Sequence, residues 1–252
     1  MVAPLRLGVL PMPIENSSRP FGTSSSDPST PFLEKRGKMV ADAEMLQDPD
    51  RSRLRDMLVS RSLKLGRQFR LSSGATSDRY LDAKLTTLNS AAMPLVGRLF
   101  NRKIKECGWS PKAVGGLTLG ADPIAFSIAR ESMDVLGTYI NTFIVRKEPK
   151  EHGMTRFIEG LEDADASGLP VVIIDDVCTR GSSTGKAIER ARAAGMKVLG
   201  AICLVDREEG ASQLLRQEYD CDLVDIFTLE ELVDYKKSLG AAGAALETTV
   251  GG

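Results

Sequence analysis

The chain has 252 residues and a formal net charge of −1, a size that suits one domain, or one domain with an extension. Because the charge is nearly balanced, the molecule as a whole offers nucleic acid no attraction, and any anion site must be built locally. No apolar run approaches the roughly 20 residues of a bilayer-spanning helix, so we expect no membrane association.

The first 45 residues differ in composition from the rest of the chain. Half of the 12 prolines fall within residues 1–31, together with a Ser/Thr-rich run at 23–30, and no apolar periodicity accompanies them. Such a segment buries too little apolar surface to fold, so we expect 1–45 to be a disordered extension. Because it lacks the Arg-rich amphipathic helix and the apolar core of targeting peptides, we favour either an extension without a structural role or a true start at Met39 or Met45.

From residue 50 onward, segments of helical and of strand character alternate along the chain. The predicted helices cover 51–65, 91–107, 122–133, 183–194 and 214–219. Short strands are predicted around a Ser-Gly turn at 69–82, and single strands at 113–117, 139–145, 171–174, 197–205 and 223–227. This alternation predicts an α/β fold with a doubly wound sheet.

The segment VVIIDDVCTRGSS, Val171–Ser183, has the pattern of a ligand-binding turn. Its first four residues are apolar and β-branched, which is typical of a strand buried on both faces of a parallel sheet. In such sheets, ligands bind beyond the carboxyl ends of the strands. The following Thr179–Ser183 combines hydroxyls, a glycine and the unpaired N–H groups of a helix start, which suit a phosphate.

Asp175 and Asp176 lie between this strand and the turn. Two carboxylates alone would repel a phosphate, but they would accept hydrogen bonds from ribose hydroxyls or stand near a Mg²⁺ that the ligand brings. The segment therefore predicts a site for a phosphorylated ribose. The alternative interpretation is an acidic pair that merely caps the helix.

A second cluster places four basic groups within seven residues of a nearly neutral chain: Arg146, Lys147, Lys150 and His152. A solvated basic face is the usual interpretation of such a run. Here Gly153 and the polar residues that follow favour a mobile loop instead. Closure of that loop over a diphosphate would stabilise a leaving group.

The four cysteines, Cys107, Cys178, Cys203 and Cys221, include no CxxC pair, and the chain has one histidine. This composition argues against both a zinc site and a disulfide framework. We therefore expect buried or neutral thiols in a reducing cytosol, and a cytoplasmic protein.

Five segments together resemble a known family. IIDDVCTRGSS resembles the PRPP-binding motif of type I phosphoribosyltransferases, and RKEPKEHG at 146–153 resembles the catalytic loop, RKxxKxHG, of the orotate phosphoribosyltransferases. LSSGATSDRYLDAK at 71–84 is similar to their orotate segment, GGLTLGADPIA at 115–125 to their diphosphate-side loop, and Asp206-Arg207 to a strand-end pair. The resemblance covers roughly residues 50–235.

The resemblance implies an α/β, type I phosphoribosyltransferase fold, with a central parallel sheet flanked by helices and a small N-terminal hood. The domain would span 46–240, with the hood mainly at 50–90, the PRPP-binding core at 91–235 and a flexible tail at 241–252. The implied reaction joins orotate to PRPP, giving orotidine 5′-monophosphate and diphosphate, in de novo pyrimidine (UMP) biosynthesis. The resemblance also implies Mg²⁺, held mainly through the PRPP diphosphate, and a homodimer with shared active sites.

The resemblance also implies the residues that carry these roles. The implied catalytic residues are Lys150, His152, Asp175 and Asp176. The implied PRPP-binding residues are Arg146, Lys147, Lys150, His152, Asp175, Asp176, Val177, Cys178, Thr179, Arg180, Gly181, Ser182 and Ser183. The implied orotate-binding residues are Thr179 and Arg207, whose guanidinium fork suits a carboxylate.

The chain departs from parts of the family pattern. Some members have a lysine where Ser72 stands, and some have Tyr-Lys in place of Leu119-Gly120. Where some members stack two aromatic rings on orotate, this chain has Tyr80-Leu81, and Tyr80 could equally pack in the core. Lys84 could supply charge nearby.

Two other functions stay open at this point. One is a phosphoribosyltransferase for another base, such as a purine, against which Arg207 and the basic loop argue. The other is a regulator that binds PRPP without catalysis. Regulators of this kind often lose the charges of the catalytic loop, whereas Lys150 and His152 are both present here.

Overall fold

Helices and strands alternate along most of the chain. The computed structural model describes residues 48–70, 76–149 and 157–250. The strands are β1 (Leu63–Arg70), β2 (Thr76–Leu81), β3 (Ala113–Leu117), β4 (Asn141–Val145), β5 (Ile158–Glu159), β6 (Pro170–Cys178), β7 (Lys197–Asp206) and β8 (Leu223–Thr228). The helices are α1 (Pro49–Met57), α2 (Lys84–Thr87), α3 (Met93–Glu106), α4 (Asp122–Leu136), α5 (Asp163–Ala166), α6 (Ser182–Ala193), α7 (Ala211–Tyr219) and α8 (Leu229–Val250).

Six strands form the central sheet, in the order β5-β4-β3-β6-β7-β8. Neighbouring strands run parallel, except for β5, which pairs antiparallel with β4 at the edge. The chain passes outward from β3 to β4 and returns on the other side of β3 as β6. This reversal leaves a crevice at the carboxyl ends of β3 and β6, which is where open α/β sheets bind ligands. The predicted fold is confirmed.

Strand β6 is buried on both faces, as its unbroken apolar run predicts. Val172 and Ile174 pack into a cluster with residues of α3, α4 and α8. Val171 and Ile173 pack on the opposite face, among residues of α6 and α7. Because helices cover both faces of β6, packing holds the strand in place, and its carboxyl end has a fixed position.

The N-terminal part of the described chain forms the small hood. Strands β1 and β2 make an antiparallel pair in which Leu63 lies opposite Leu81, and a π-helical turn, Leu58–Ser62, joins α1 to β1. The rings of Phe69 and Tyr80 stack with their centroids 5.4 Å apart. Tyr80 therefore has a packing role within the hood.

The structure corrects several predicted boundaries. The helix predicted at 51–65 is wrong at its end, because Leu63–Arg70 is drawn into pairing with β2. The strand predicted at 171–174 extends to Cys178, because it pairs along its length with β7. Helix α8 continues to Val250, while the flexible tail at 241–252 and the domain boundaries stay predictions. The expected disordered extension, 1–45, lies outside the described residues.

No helix in the described part of the chain is both long and apolar enough to cross a bilayer.

A buried ion pair fixes α1 against the C-terminal helix. The Arg51 guanidinium donates to both carboxylate oxygens of Glu231, each at 2.7 Å, and to the carbonyl oxygen of Ile226 at 3.0 Å. It also lies 4.4 Å from the ring centroid of Phe227. Only 9% of the Arg51 side chain is exposed, so its charge depends on these partners for compensation.

We predict that Arg51→Met lowers the free energy of unfolding by about 2–3 kcal/mol, because Glu231 loses both of its charged hydrogen bonds. Urea titration followed by circular dichroism measures the change. Arg53→Met is the matched control, since Arg53 lies exposed on the same helix; it should change stability by less than about 0.5 kcal/mol. Equal effects of the two substitutions would contradict the prediction.

Candidate active site

The two carboxylates at the end of β6 lie in different environments. Asp175 is buried at 7% exposure, whereas Asp176 is half-buried. Asp175 lies opposite Cys203 of β7, and the pairing of the two strands continues to Cys178 opposite Asp206. Both acids therefore belong to the strand itself, and its sheet pairing fixes their backbone.

The carboxylate of Asp175 is held by donors from the following chain. Thr184 donates its hydroxyl to Oδ2 at 2.6 Å, and the backbone N–H of Asp176 donates to Oδ1 at 2.9 Å. Burial, followed by the charge of Asp176, raises the pKa of Asp175 from its ordinary value of 3.8 to about 7. Asp175 therefore keeps its proton to a higher pH than an exposed aspartate does.

The carboxylate of Asp176 is surrounded by three different segments. Its Oδ1 accepts the N–H of Val177 at 2.9 Å, and its Oδ2 lies 3.8 Å from Nζ of Lys84. On another side it meets Gly120, where an added Cβ would come within 2.4 Å of Oδ1. The glycine thus permits close approach of the loop after β3 to the end of β6.

A tight turn carries the chain from β6 into α6. Gly181 has a φ of +78°, in the left-handed region that favours glycine, and α6 begins at the next residue. No side chain of the described residues caps this helix start. The first N–H groups of α6 lack intrahelical partners, and the exposed Ser182 and Ser183 lie beside them; donors of this kind suit an anion.

The loop after β3 lies across the crevice from this turn. Thr118 donates its hydroxyl to Oδ2 of Asp122 at 2.6 Å, which ties the loop to the first residue of α4. The peptide bond between Thr118 and Leu119 is cis. An added Cβ on Gly116 would lie 1.9 Å from the carbonyl oxygen of Ile174, so β3 and β6 approach each other closely here.

Arg207 lies beside the end of β6, as the strand order requires. Its backbone N–H donates to the carbonyl oxygen of Cys178 at 2.9 Å. Its Nε pairs with Glu209 at 2.9 Å, and 11% of its side chain is exposed. The sheet therefore brings a guanidinium next to the turn at Gly181, although the two segments are about 25 residues apart in the sequence.

The basic segment begins where β4 ends. Arg146 pairs with Glu159 at 3.1 Å and donates from Nε to the carbonyl oxygen of Glu148 at 3.2 Å, while Lys147 is exposed. Lys150 and His152 lie outside the described residues.

Arg190 of α6 contacts the chain on both sides of residues 150–156. Its guanidinium donates to the carbonyl oxygens of Arg146 and, at 3.0 Å, Lys147, and it lies 4.1 Å from the ring centroid of Phe157. The N–H of Arg146 in turn donates to the carbonyl oxygen of Phe157 at 2.8 Å. The helix with the uncapped start thus also fixes the base of the basic segment.

Most residues predicted for the site lie along one edge of the sheet. These are Arg146, Lys147, Asp175, Asp176, Val177, Cys178, Thr179, Arg180, Gly181, Ser182, Ser183 and Arg207. Sequence reasoning missed Thr184 and Arg190. The position of Thr184, one residue after the predicted phosphate turn, could have indicated an inward hydroxyl, whereas no local signal marks Arg190.

Comparison with known proteins places the chain in a family. The model of the phosphoribosyl transferase domain matches residues 86–236. The orotate phosphoribosyltransferase of Aquifex aeolicus is 42% identical over 186 residues, which cover 73% of this chain and 98% of the relative. The crystal structure of Mycobacterium tuberculosis orotate phosphoribosyltransferase in complex with PRPP is similar, with a TM-score of 0.60 and 33% identity over 73% of this chain and 99% of the other.

The fold, the crevice at the strand reversal and the family match together define a phosphoribosyltransferase. Within that class, the curated relatives share about 40% of their residues with the chain over most of their length. The chain belongs to the orotate phosphoribosyltransferases.

We predict that Asp175 makes stability depend on pH. Between its ordinary pKa of 3.8 and its folded pKa of about 7, the folded protein keeps a proton that the unfolded chain releases. Stability from this group is therefore lost as the pH rises through that window. The unfolding free energy of the wild type relative to Asp175→Asn should fall by on the order of 1 kcal/mol or more between about pH 5 and pH 8. A difference that stays constant with pH, measured by urea titration, would refute this.

Proposed function

We propose that the chain binds PRPP across the carboxyl ends of β3 and β6 and transfers its phosphoribosyl group to orotate. The products are orotidine 5′-monophosphate and diphosphate, in de novo pyrimidine (UMP) biosynthesis. The observation that carries the proposal is the acidic pair at the end of β6, followed after the tight turn at Gly181 by the uncapped start of α6, in a chain of the orotate phosphoribosyltransferase family. A cytoplasmic location is part of the proposal and is supported by four free thiols.

The ribose 5-phosphate half of PRPP fits the β6 turn. The 5′-phosphate takes the N–H groups at the start of α6, together with the hydroxyls of Thr179, Ser182 and Ser183. Asp176, half-buried at the crevice, accepts hydrogen bonds from the ribose hydroxyls. Asp175 lies behind it and fixes the turn through Thr184. The buried Asp175 contributes more by orienting this turn than by direct exposure to the sugar.

The diphosphate half is assigned to the basic segment. Arg146, Lys147, Lys150 and His152 stabilise the negative charge that develops on the leaving group. The contacts of Arg190 with the carbonyl oxygens of Arg146 and Lys147 support this assignment, because they fix the base of the segment to the helix that holds the 5′-phosphate.

Mg²⁺ is proposed to accompany PRPP. Diphosphate oxygens are the hard ligands that Mg²⁺ prefers, and the ion commonly keeps several of its waters. When bound, it neutralises charge on the leaving group. Among the described residues, no group of three or more Asp, Glu, His or Cys side chains could hold a metal ion, and we assign it no protein ligand.

Orotate is proposed to bind beside the end of β7. The guanidinium of Arg207 matches the orotate carboxylate in shape and charge, and Thr179 contributes a hydroxyl. Glu209, which pairs with Arg207 at 2.9 Å, holds the guanidinium at the crevice until the substrate carboxylate arrives. A base without a carboxylate would leave Arg207 without this partner, which favours orotate over a purine.

The residues act by positioning and electrostatics. The bond between ribose C1 and the diphosphate oxygen breaks with positive charge developing on the ribose, and the orotate ring nitrogen attacks from the opposite face. We assign to the Asp176 carboxylate the stabilisation of that positive charge. The bonding electrons leave with the diphosphate, whose negative charge the basic segment stabilises. No covalent enzyme intermediate is required.

A homodimer with shared active sites is proposed, and an exposed apolar surface supports it. Phe126 and Met133 of α4 are 52% and 38% exposed, and their spacing of seven residues places them on one face of the helix. Leu119, seven residues before Phe126, is 68% exposed. Exposed apolar residues on a common face often mark an interface. Because Leu119 belongs to the loop that contacts Asp176, a partner packed here would adjoin the site.

We predict that the purified protein consumes orotate only with PRPP and Mg²⁺, and that Lys150→Ala lowers kcat by about 100-fold or more. PRPP binding, measured by calorimetry, should persist in this variant because the ribose 5-phosphate contacts remain. Lys197→Ala is the matched control, because Lys197 begins β7 at the amino ends of the strands, away from the crevice. Product from hypoxanthine and none from orotate would overturn the proposed substrate, and PRPP binding without any turnover would indicate a regulator.

We predict that Phe126→Asp weakens the dimer, because a carboxylate replaces the apolar centre of the interface. The dimer dissociation constant should rise by about 30-fold or more, as sedimentation velocity would measure. Activity should fall in parallel at low protein concentration. The exposed Gln217→Asp on α7 serves as the control. A wild type that is monomeric and fully active would refute the shared sites.

A further inference from the structure

Lys84 brings a positive charge from the hood to the ribose side of the crevice. It is the first residue of α2, which begins three residues after the end of β2. Its Nζ lies 2.9 Å from Oδ1 of Asp82 and 3.8 Å from Oδ2 of Asp176. Its backbone N–H also donates to Oδ1 of Asp82 at 3.2 Å. A single side chain thus connects the end of the hood strand with the end of β6.

The charges around Asp176 are unbalanced without Lys84. Asp175 lies next to it in the chain, and the charge of Asp176 contributes to the raised pKa of its neighbour. Of the ion pairs formed by the described residues, the one that reaches Asp176 is with Lys84. The hydrogen bond to Asp82 is the first cause, and the charge of Asp176 a further cause, of a raised pKa for Lys84. The ammonium of Lys84 therefore stays protonated while it faces Asp82 and Asp176.

The two oxygens of Asp176 are oriented by different neighbours. Oδ1 is engaged by the N–H of Val177 and meets Gly120, whereas Oδ2 is the oxygen that faces Lys84. The backbone contact holds one end of the carboxylate, and the ammonium attracts the other end. Together they limit rotation of the group about its terminal bond, which pre-organises it for a ligand.

We propose that Lys84 is a positioning residue of the active site, which holds Asp176 for the ribose hydroxyls and offsets the acidic pair when the anionic PRPP binds. The proposal rests on the proposed binding of PRPP at the β6 turn. Asp82 acts as the second anchor, because its short contact keeps the ammonium at the crevice when the site is empty. The hood thereby contributes to binding of the ribose half of PRPP.

Lys84→Met tests the proposal, since it keeps the length of the side chain and removes the charge. We expect KM for PRPP to rise by about tenfold or more and kcat to fall, while KM for orotate changes by less than about threefold. Lys84→Arg should recover most of the lost kcat/KM, because it restores a cation at the same place. Lys197→Met is the matched control and should behave as wild type, because Lys197 lies at the amino ends of the strands, away from the crevice.

A double-mutant cycle separates positioning from mere structural support. PRPP binding is measured by calorimetry for wild type, Lys84→Met, Asp176→Asn and the double variant, with circular dichroism to confirm folding. If Lys84 acts through Asp176, its loss should cost less than about twofold in the Asp176→Asn background. Additive losses, or a Lys84→Met enzyme with unchanged KM for PRPP, would overturn the proposal.

The outcomes distinguish this proposal from the proposed function. If the wild type fails to consume orotate, the proposed reaction is wrong, whereas the binding cycle still decides the role of Lys84. If the wild type is active and Lys84→Met retains its kinetics, only the role of Lys84 is wrong. A Lys84→Arg variant as impaired as Lys84→Met would also contradict it, because charge would then not be the property that matters.

Discussion

The hydrogen bond from Thr184 to Asp175, 2.6 Å long and buried, is the contact on which the site depends. It joins the last part of β6 to the first turn of α6, so that the acidic end of the strand and the positive end of the helix keep a fixed relation. This fixed relation suits a ribose 5-phosphate, because its hydroxyls and its phosphate belong to one small molecule and must be bound at the same time. The same bond compensates a buried carboxylate, which would otherwise be costly to keep in the core.

Helix α6 connects three parts of the proposed ligand site. Its start offers N–H groups for a phosphate, its first turn holds Asp175, and Arg190 near its end holds the chain on both sides of 150–156. The helix is itself packed closely, since an added Cβ on Gly185 would lie 2.7 Å from the ring of Tyr219. A rigid helix can therefore transmit the position of the 5′-phosphate to the base of the basic segment.

The sequence predicts those parts of the fold and site whose signals are local. The apolar run before Asp175 and the turn at Gly181 can each be recognised within a few residues. The alternation of helices and strands then predicts the sheet, and the strand reversal places the site at the carboxyl ends of its strands. The end of the first helix was missed because pairing between β1 and β2 decides it. Arg190 was missed because its partners lie more than 30 positions away, and no local pattern encodes such a contact.

The departure from the family pattern at Leu119-Gly120 has a physical reason in this chain. A side chain at Gly120 would collide with the carboxylate of Asp176, because an added Cβ would come within 2.4 Å of Oδ1. A lysine therefore does not fit there without movement of the loop or of the acid. Lys84 approaches the same carboxylate from the hood, and it does so at its other oxygen. Gly120 thus leaves room on the Oδ1 side of Asp176, and Lys84 of the hood supplies a positive charge on the Oδ2 side.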